Sequence, residues 1–206
     1  MSVAALAAAG ALLCPGPAQA QQLVTVDAHA GATTAALELW QRRGACFRRV
    51  AGPWTAELGP AGLSSSKHEG DGATPTGTYR FGATMYGIAP NPGVAFAYHR
   101  LVCGDWWDED ARSPTYNTFR HVACGAQPSF HGASEALWRI SPQYRYFAVI
   151  DYNAHPVVPG RGSAIFLHVS TGHPTAGCVS LPQAQLLRVL RWLRPAAKPM
   201  IEIRTE

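Results

Sequence analysis

Charge is what this chain has least of. Asp, Glu, Lys and Arg together make up 15% of its 206 residues, against roughly a quarter in an ordinary soluble domain. Only two of the cations are lysines, Lys67 and Lys198, and no basic cluster or basic-aromatic module accompanies the net charge of +4. That pattern excludes nucleic acid as the expected partner. The mild positive balance suits an anionic polymer, and it suits plain solubility equally well. No charged residue occurs before Gln21, and no second long apolar run follows. Ser2 to Leu13 is rich in Ala, Leu and Val, and Ala18-Gln19-Ala20 is a small-x-small pattern. Residues 1–20 therefore read as a secretory signal peptide, too short for a permanent span. A lipid anchor on Cys14 is the alternative, but Leu13 stands where such a site wants a small residue. The expected product is residues 21–206, exported to the cell wall, periplasm or medium, with no stable membrane span. No Cys-x-x-Cys occurs, and the eight histidines lack zinc-site spacing, so neither metal nor cofactor is expected. Repeats and low-complexity tracts are absent too. The length suits one domain, expected as a monomer.

What is present concentrates in Ile165-Phe-Leu-His168-Val-Ser170-Thr-Gly-His173-Pro-Thr175-Ala-Gly177-Cys178-Val-Ser180-Leu181. Acyl transfer needs a soft nucleophile, a base, and donors for an oxyanion. Cys178 offers the first as thiolate, a histidine the second, and the backbone N–H groups of Gly177 and Cys178 the third. A lone cysteine is more often a small buried hydrophobe. Here an apolar run ends in His168, and a short loop returns the chain so that His168 and Cys178 can meet. His173, between Gly172 and Pro174 in that loop, is the rival base. A strand positions a side chain more tightly than a loop, which favours His168 and leaves His173 for substrate.

These residues resemble the catalytic motif of the L,D-transpeptidases (YkuD-type). That motif is an apolar strand ending in histidine, a loop, then Ser/Thr-x-Gly-Cys. A second stretch, Gly70-Asp71-Gly72-Ala-Thr74-Pro75-Thr76-Gly77, is similar to the family's Gly-Asp-Gly-x-Thr-Pro-x-Gly signature. The resemblance runs from about Gly44 to Ile203. Two features depart from it. The loop from His168 to Cys178 is short, and Ser180 stands where many members carry Arg or Asn. The resemblance implies a peptidoglycan enzyme acting on stem peptides. The cysteine attacks the bond before a terminal D-residue, a thioester forms, and a side-chain amine of another stem resolves it. It implies Cys178, His168 and Gly177 as catalytic, and Ser170, His173, Thr175 and Ser180 as substrate-binding. Water as acceptor would make the protein an L,D-carboxypeptidase, and a non-catalytic wall-binding module is the third reading.

The pattern along the chain argues a mainly β fold, expected as a single β-sandwich-like domain with a C-terminal surface helix. Leu23–Asp27 alternates as a strand. Thr34–Arg43 fits helix or strand. Tyr79–Gly82 reads as a strand, Tyr146–Asn153 and Ala164–Val169 read as core strands, and Met200–Ile203 closes the sheet. Pro182–Arg194 is the clearest helix, with Ser180 able to cap it. Trp106 and Trp107 lie in a long acidic excursion, either at the core edge or exposed in a groove. A nucleophilic Cys178 must be free. Cys103 and Cys124 bracket the excursion and are expected to pair. That leaves Cys46 as a buried thiol, unless it pairs with one of those two.

Overall fold

The structure is a computed structural model that describes residues 11–206. The first ten residues, half of the expected leader, lie outside the described residues. Eight strands carry the fold: β1 (Gln22–Ala28), β2 (Thr34–Arg43), β3 (Cys46–Glu57), β4 (Gly77–Gly87), β5 (Phe147–Ile150), β6 (Phe166–Val169), β7 (Val179–Leu181) and β8 (Met200–Thr205). Their order is β3-β7-β6-β5-β4-β8-β1-β2, and β2 pairs back onto β3, so the sheet closes on itself. The mainly β class and the single C-terminal helix agree with the sequence pattern. A closed, barrel-like sheet takes the place of two open layers. Closure removes the unpaired edges that a sheet of this size would expose.

Alternation explains the core. Val24, Leu37, Met85, Ile150, Leu167 and Ile201 point to one side of the closed sheet and are buried. Helix α1 (Gln183–Trp192) adds Leu186, Val189 and Leu190 to that core, each burial contributing about 2 kcal/mol. The helix is shorter than the expected Pro182–Arg194, by one residue at its start and two at its end. Ser180 does not cap it: Pro182 is the N-cap residue, no side chain caps the first turn, and Ser180 belongs to β7.

Strands β5 and β6 are apolar on their other face too. Phe147 and Phe166 point into a second cluster with Trp107, Leu137, Tyr144 and Cys178. The excursion between β4 and β5 covers this face with a small sheet of Asp105–Asp108, Thr118–His121 and Glu135–Ala136. The Cys103–Cys124 disulfide pins it as expected. Buried Asp105 ties it down further, accepting hydrogen bonds from His99 Nε2 at 2.8 Å and His121 Nδ1 at 2.7 Å. Trp107 is core, packed edge-on to Phe166 at 4.9 Å. Trp106 is half-buried beside Phe130 and Trp138.

Cys46 is not a free thiol: it is bridged to Cys14. Sequence reading missed this pair because it assigned Cys14 to the leader. Leu12–Leu13 pairs with β3, Arg42 donates to the carbonyls of Pro17 and Ala20, and Ala20 is fully buried. Cleavage after Ala20 would remove this segment and leave Cys46 unpaired. Among the described residues no helix is long and apolar enough to cross a membrane. A non-reducing digest should yield cross-linked Cys14–Cys46 and Cys103–Cys124 peptides, with Cys178 the one site alkylated after denaturation. Alkylation of Cys46 without reductant would contradict this map.

Candidate active site

Parallel pairing of β6 with β7 sets the site. Leu167 lies opposite Val179 and His168 opposite Ser180. Side chains alternate along a strand, so His168 and Ser180 share a face, with Phe166 and Cys178 one pleat earlier. Cys178 and His168 line one cavity of 360 Å³. Cys178 is 7% exposed. Its Sγ accepts a hydrogen bond from the Phe166 N–H at 3.3 Å and donates to the Ala164 carbonyl at 3.1 Å. Asn117 holds that stretch by accepting from the Ala164 N–H at 3.1 Å and from Trp107 Nε1 at 3.0 Å.

His168 is 6% exposed, and Tyr144 packs edge-on to its ring at 5.8 Å. Its Nδ1 donates to the Val169 carbonyl at 2.9 Å. That bond fixes the tautomer and leaves the Nε2 lone pair to take a proton. Burial lowers the imidazole pKa to about 4, with the Val169 bond opposing the shift. Burial pushes the Cys178 thiol well above its ordinary value. The resting pair is thus a neutral thiol and a neutral imidazole, and the thiol's hydrogen bonds go to the Ala164 and Phe166 backbone rather than to His168.

The turn before Cys178 is built from both sequence signatures. Thr175 Oγ1 donates to the Cys178 carbonyl at 2.7 Å and accepts from the Gly177 N–H at 3.1 Å. The Gly177 N–H is therefore engaged within the turn, contrary to its expected role toward an oxyanion. Gly177 sits at φ +136°, and a methyl group there would lie 2.7 Å from the Ala73 carbonyl oxygen. Only glycine fits so close a backbone approach. From the other signature, Thr74 Oγ1 reaches the Cys178 carbonyl at 3.4 Å and accepts from the Gly59 N–H at 2.9 Å.

Asp71 organises that segment, accepting from Lys67 Nζ at 2.8 Å, the His68 N–H at 2.9 Å and the Ala73 N–H at 2.9 Å. Burial raises its pKa, but the bonds from Lys67, Ala73 and His68 outweigh this and hold it below the usual carboxylate range. Lys67 is 7% exposed, and its Nζ lies 3.2 Å from where a Gly177 side chain would begin. The sequence pattern alone assigns Lys67 no role. Its rarity in this chain and its position four residues before Asp71 were the available signal.

The other expected substrate residues divide. Ser180 lines the cavity, fully buried, with its hydroxyl unpartnered. Thr175 lines it with its hydroxyl committed to the turn. His173 is exposed at the rim. Ser170 sits beyond β6, where its Oγ accepts from the Gly172 N–H at 2.9 Å, and it does not line the cavity. Among the described residues no group of three or more His, Cys, Asp or Glu is disposed to hold a metal ion.

The sequence pattern of YkuD, the L,D-transpeptidase catalytic domain, matches residues 29–201. No curated protein matches the chain. Solved structures of the helical cell shape determining protein Pgp2 from Campylobacter jejuni resemble it, one of them a single-residue variant. They are 12% and 13% identical to it, with TM-scores of 0.41 and 0.42. The alignments cover 90% of this chain and 49% and 48% of those chains. The chain thus spans about half the length of the solved structures it matches.

The depressed His168 pKa predicts a pH dependence of stability. On acidification the unfolded state takes up this proton near pH 6.5 and the folded state only near pH 4. Stability should fall across that window, by on the order of 3 kcal/mol from this group. Chemical denaturation of the wild type and of His168→Gln at several pH values isolates the contribution. A wild-type-minus-variant difference that is flat from pH 7 to 4 would contradict the buried neutral imidazole.

Proposed function

We propose, for a chain that belongs to the L,D-transpeptidase catalytic-domain family, that it cross-links peptidoglycan stem peptides through a thioester on Cys178. The observation that supports this reading most is the convergence of the two signatures on one turn. That turn carries Cys178, and His168 on β6 lines the same cavity with its Nε2 free to accept a proton, which supports the pair as nucleophile and base.

In this mechanism His168 Nε2 takes the proton as Sγ attacks the carbonyl before the terminal D-residue. A buried neutral pair fits proton transfer coupled to attack better than a standing ion pair. Rotation of the Cys178 side chain away from the Ala164 carbonyl precedes that step. The Cys178 N–H and the Lys67 ammonium are the donors proposed for the developing oxyanion, since the Gly177 N–H serves the turn. The imidazolium then protonates the leaving amine, and the D-residue departs. A side-chain amine of a second stem attacks the thioester and regenerates the thiol, the transfer that distinguishes the enzyme from an L,D-carboxypeptidase. His173 at the rim is proposed to contact substrate. The protein is proposed to be exported and monomeric, and its two disulfides support an oxidising compartment.

Intact-mass spectrometry after incubation with a stem tetrapeptide tests the reading. The wild type should gain the mass of the donor less its D-residue. Cys178→Ser should gain no thioester, and His168→Ala should slow acylation by about a hundredfold or more, with His173→Ala slower by less. Unchanged acylation in His168→Ala with loss in His173→Ala would reverse the assignment of the base. Hydrolysis without transfer to an added amine acceptor would assign a carboxypeptidase. Absence of any Cys178 adduct would leave a wall-binding module.

A further inference from the structure

The thiol chemistry makes no use of three carboxyl groups that line the same cavity, Glu69, Glu109 and Glu135. They arrive from separate places. Glu69 belongs to the Gly-Asp-Gly segment, and Glu109 and Glu135 come from the excursion that covers β5 and β6. Lys67 does not pair with them: its ion pair is with Asp71. Glu69 accepts from Tyr116 and from Ser163 Oγ at 2.6 Å, and Glu135 accepts from Tyr144. Glu109 is the least satisfied. Its Oε2 receives only a long bond from Ser163 Oγ at 3.3 Å, and its buried Oε1 receives none.

Two further polar atoms share this condition. Gln143 Oε1 is buried without a partner, and so is the hydroxyl of Ser180, a residue 1% exposed. Both residues line the cavity. Among the described residues four buried side-chain polar atoms lack a partner, and three of the four belong to residues that line this cavity. Each such atom costs about 1 to 3 kcal/mol when nothing bonds to it, so a ligand that bonds to them here is stabilised. Two of the three are oxygens of a carboxyl and an amide, which accept hydrogen bonds, the carboxyl as an acceptor on both oxygens once ionised. A hydrogen-bond donor complements these oxygens, and clustered carboxyls favour a positive one. Burial, then the mutual repulsion of Glu109, Glu135 and Glu69, keeps the Glu109 carboxyl protonated well above the ordinary range. A cation would relieve that strain. A primary ammonium group fits: it is compact, charged and carries three donors. The carboxyls are not disposed for a metal ion.

We propose that Glu109 and Glu135, with the Gln143 amide oxygen, form a subsite for a primary ammonium group on the donor peptide. The group is the side-chain amine of the residue whose carbonyl Cys178 attacks. The inference rests on the stem-peptide reading, in which third residues carry the side-chain amines that become cross-links. The donor's third residue carries one as well, and its carbonyl sits at the thiol in the same cavity. A cross-linking enzyme gains from holding that amine, since the donor side chain is then kept from competing with the acceptor for the thioester.

The test compares two donor tetrapeptides, one with the third-residue amine free and one with it acetylated. Acylation of Cys178 is followed by intact mass without an acceptor. Wild type should acylate from the free-amine donor at least about tenfold faster, the scale of one charge-assisted hydrogen bond. Glu109→Gln should slow the free-amine donor by a similar factor and leave the acetylated donor unchanged, so the preference collapses toward one. Glu135→Gln provides a second variant with the same readout, and iodoacetamide alkylation of Cys178 after denaturation checks that each thiol is intact. Equal use of both donors by wild type overturns the subsite, as does equal slowing of both donors by the variants. If neither donor acylates a wild-type protein whose thiol alkylates, the stem-peptide reading itself falls.

Discussion

The site depends on one pairing, the parallel registration of Phe166–Val169 with Val179–Leu181. Alternation along these two strands puts Leu167, Val169, Val179 and Leu181 into the main core and turns Phe166, His168, Cys178 and Ser180 to the opposite face. Reactive groups and core residues therefore share the same backbone. A slip of one residue would bury His168 in the core and expose leucine in the cavity. The core thus fixes the site's register more firmly than any contact among the reactive groups. That firmness is needed, because the thiol and imidazole are both buried in neutral form and do not hold each other.

The approach to Cys178 carries a second constraint. Its turn must pass close to the Ala73 backbone, which only Gly177 allows. Thr74 and Thr175 then converge on the Cys178 carbonyl. Asp71 gathers Lys67 and two backbone N–H groups nearby, which sets a buried ammonium beside Gly177. Two sequence signatures a hundred residues apart are thereby one structural unit. The Gly-Asp-Gly segment supplies the scaffold and a charge, and the Gly-Cys segment supplies the thiol.

Much of this was legible in the sequence because it is local. Alternation in β1, the apolar runs of β5 and β6, and the leucine stripe of α1 each follow from short-range periodicity. His168 and Cys178 stand out because the loop between them is short. The Cys103–Cys124 bridge followed from the excursion it closes. What escaped depends on the tertiary path. Closure of the sheet through β2 and β3 leaves no mark in either strand's pattern. Cys14 lies in an apolar run that reads equally well as a leader. Commitment of the Gly177 N–H to Thr175 is a matter of turn geometry. Glu109 and Glu135 reach the cavity only because the excursion folds over β5 and β6, and nothing beside them in the sequence distinguishes them from surface glutamates.

The central claim is that the resting site holds a neutral thiol and a neutral imidazole, so that proton transfer accompanies attack. Thiolate absorbance near 240 nm, titrated from pH 5 to 9 against Cys178→Ser, tests it most directly. The structure predicts no thiolate signal from Cys178 across that range, because burial holds its proton and leaves His168 uncharged. A Cys178-dependent thiolate already present below pH 7 would mean a standing thiolate–imidazolium pair, and would contradict the account.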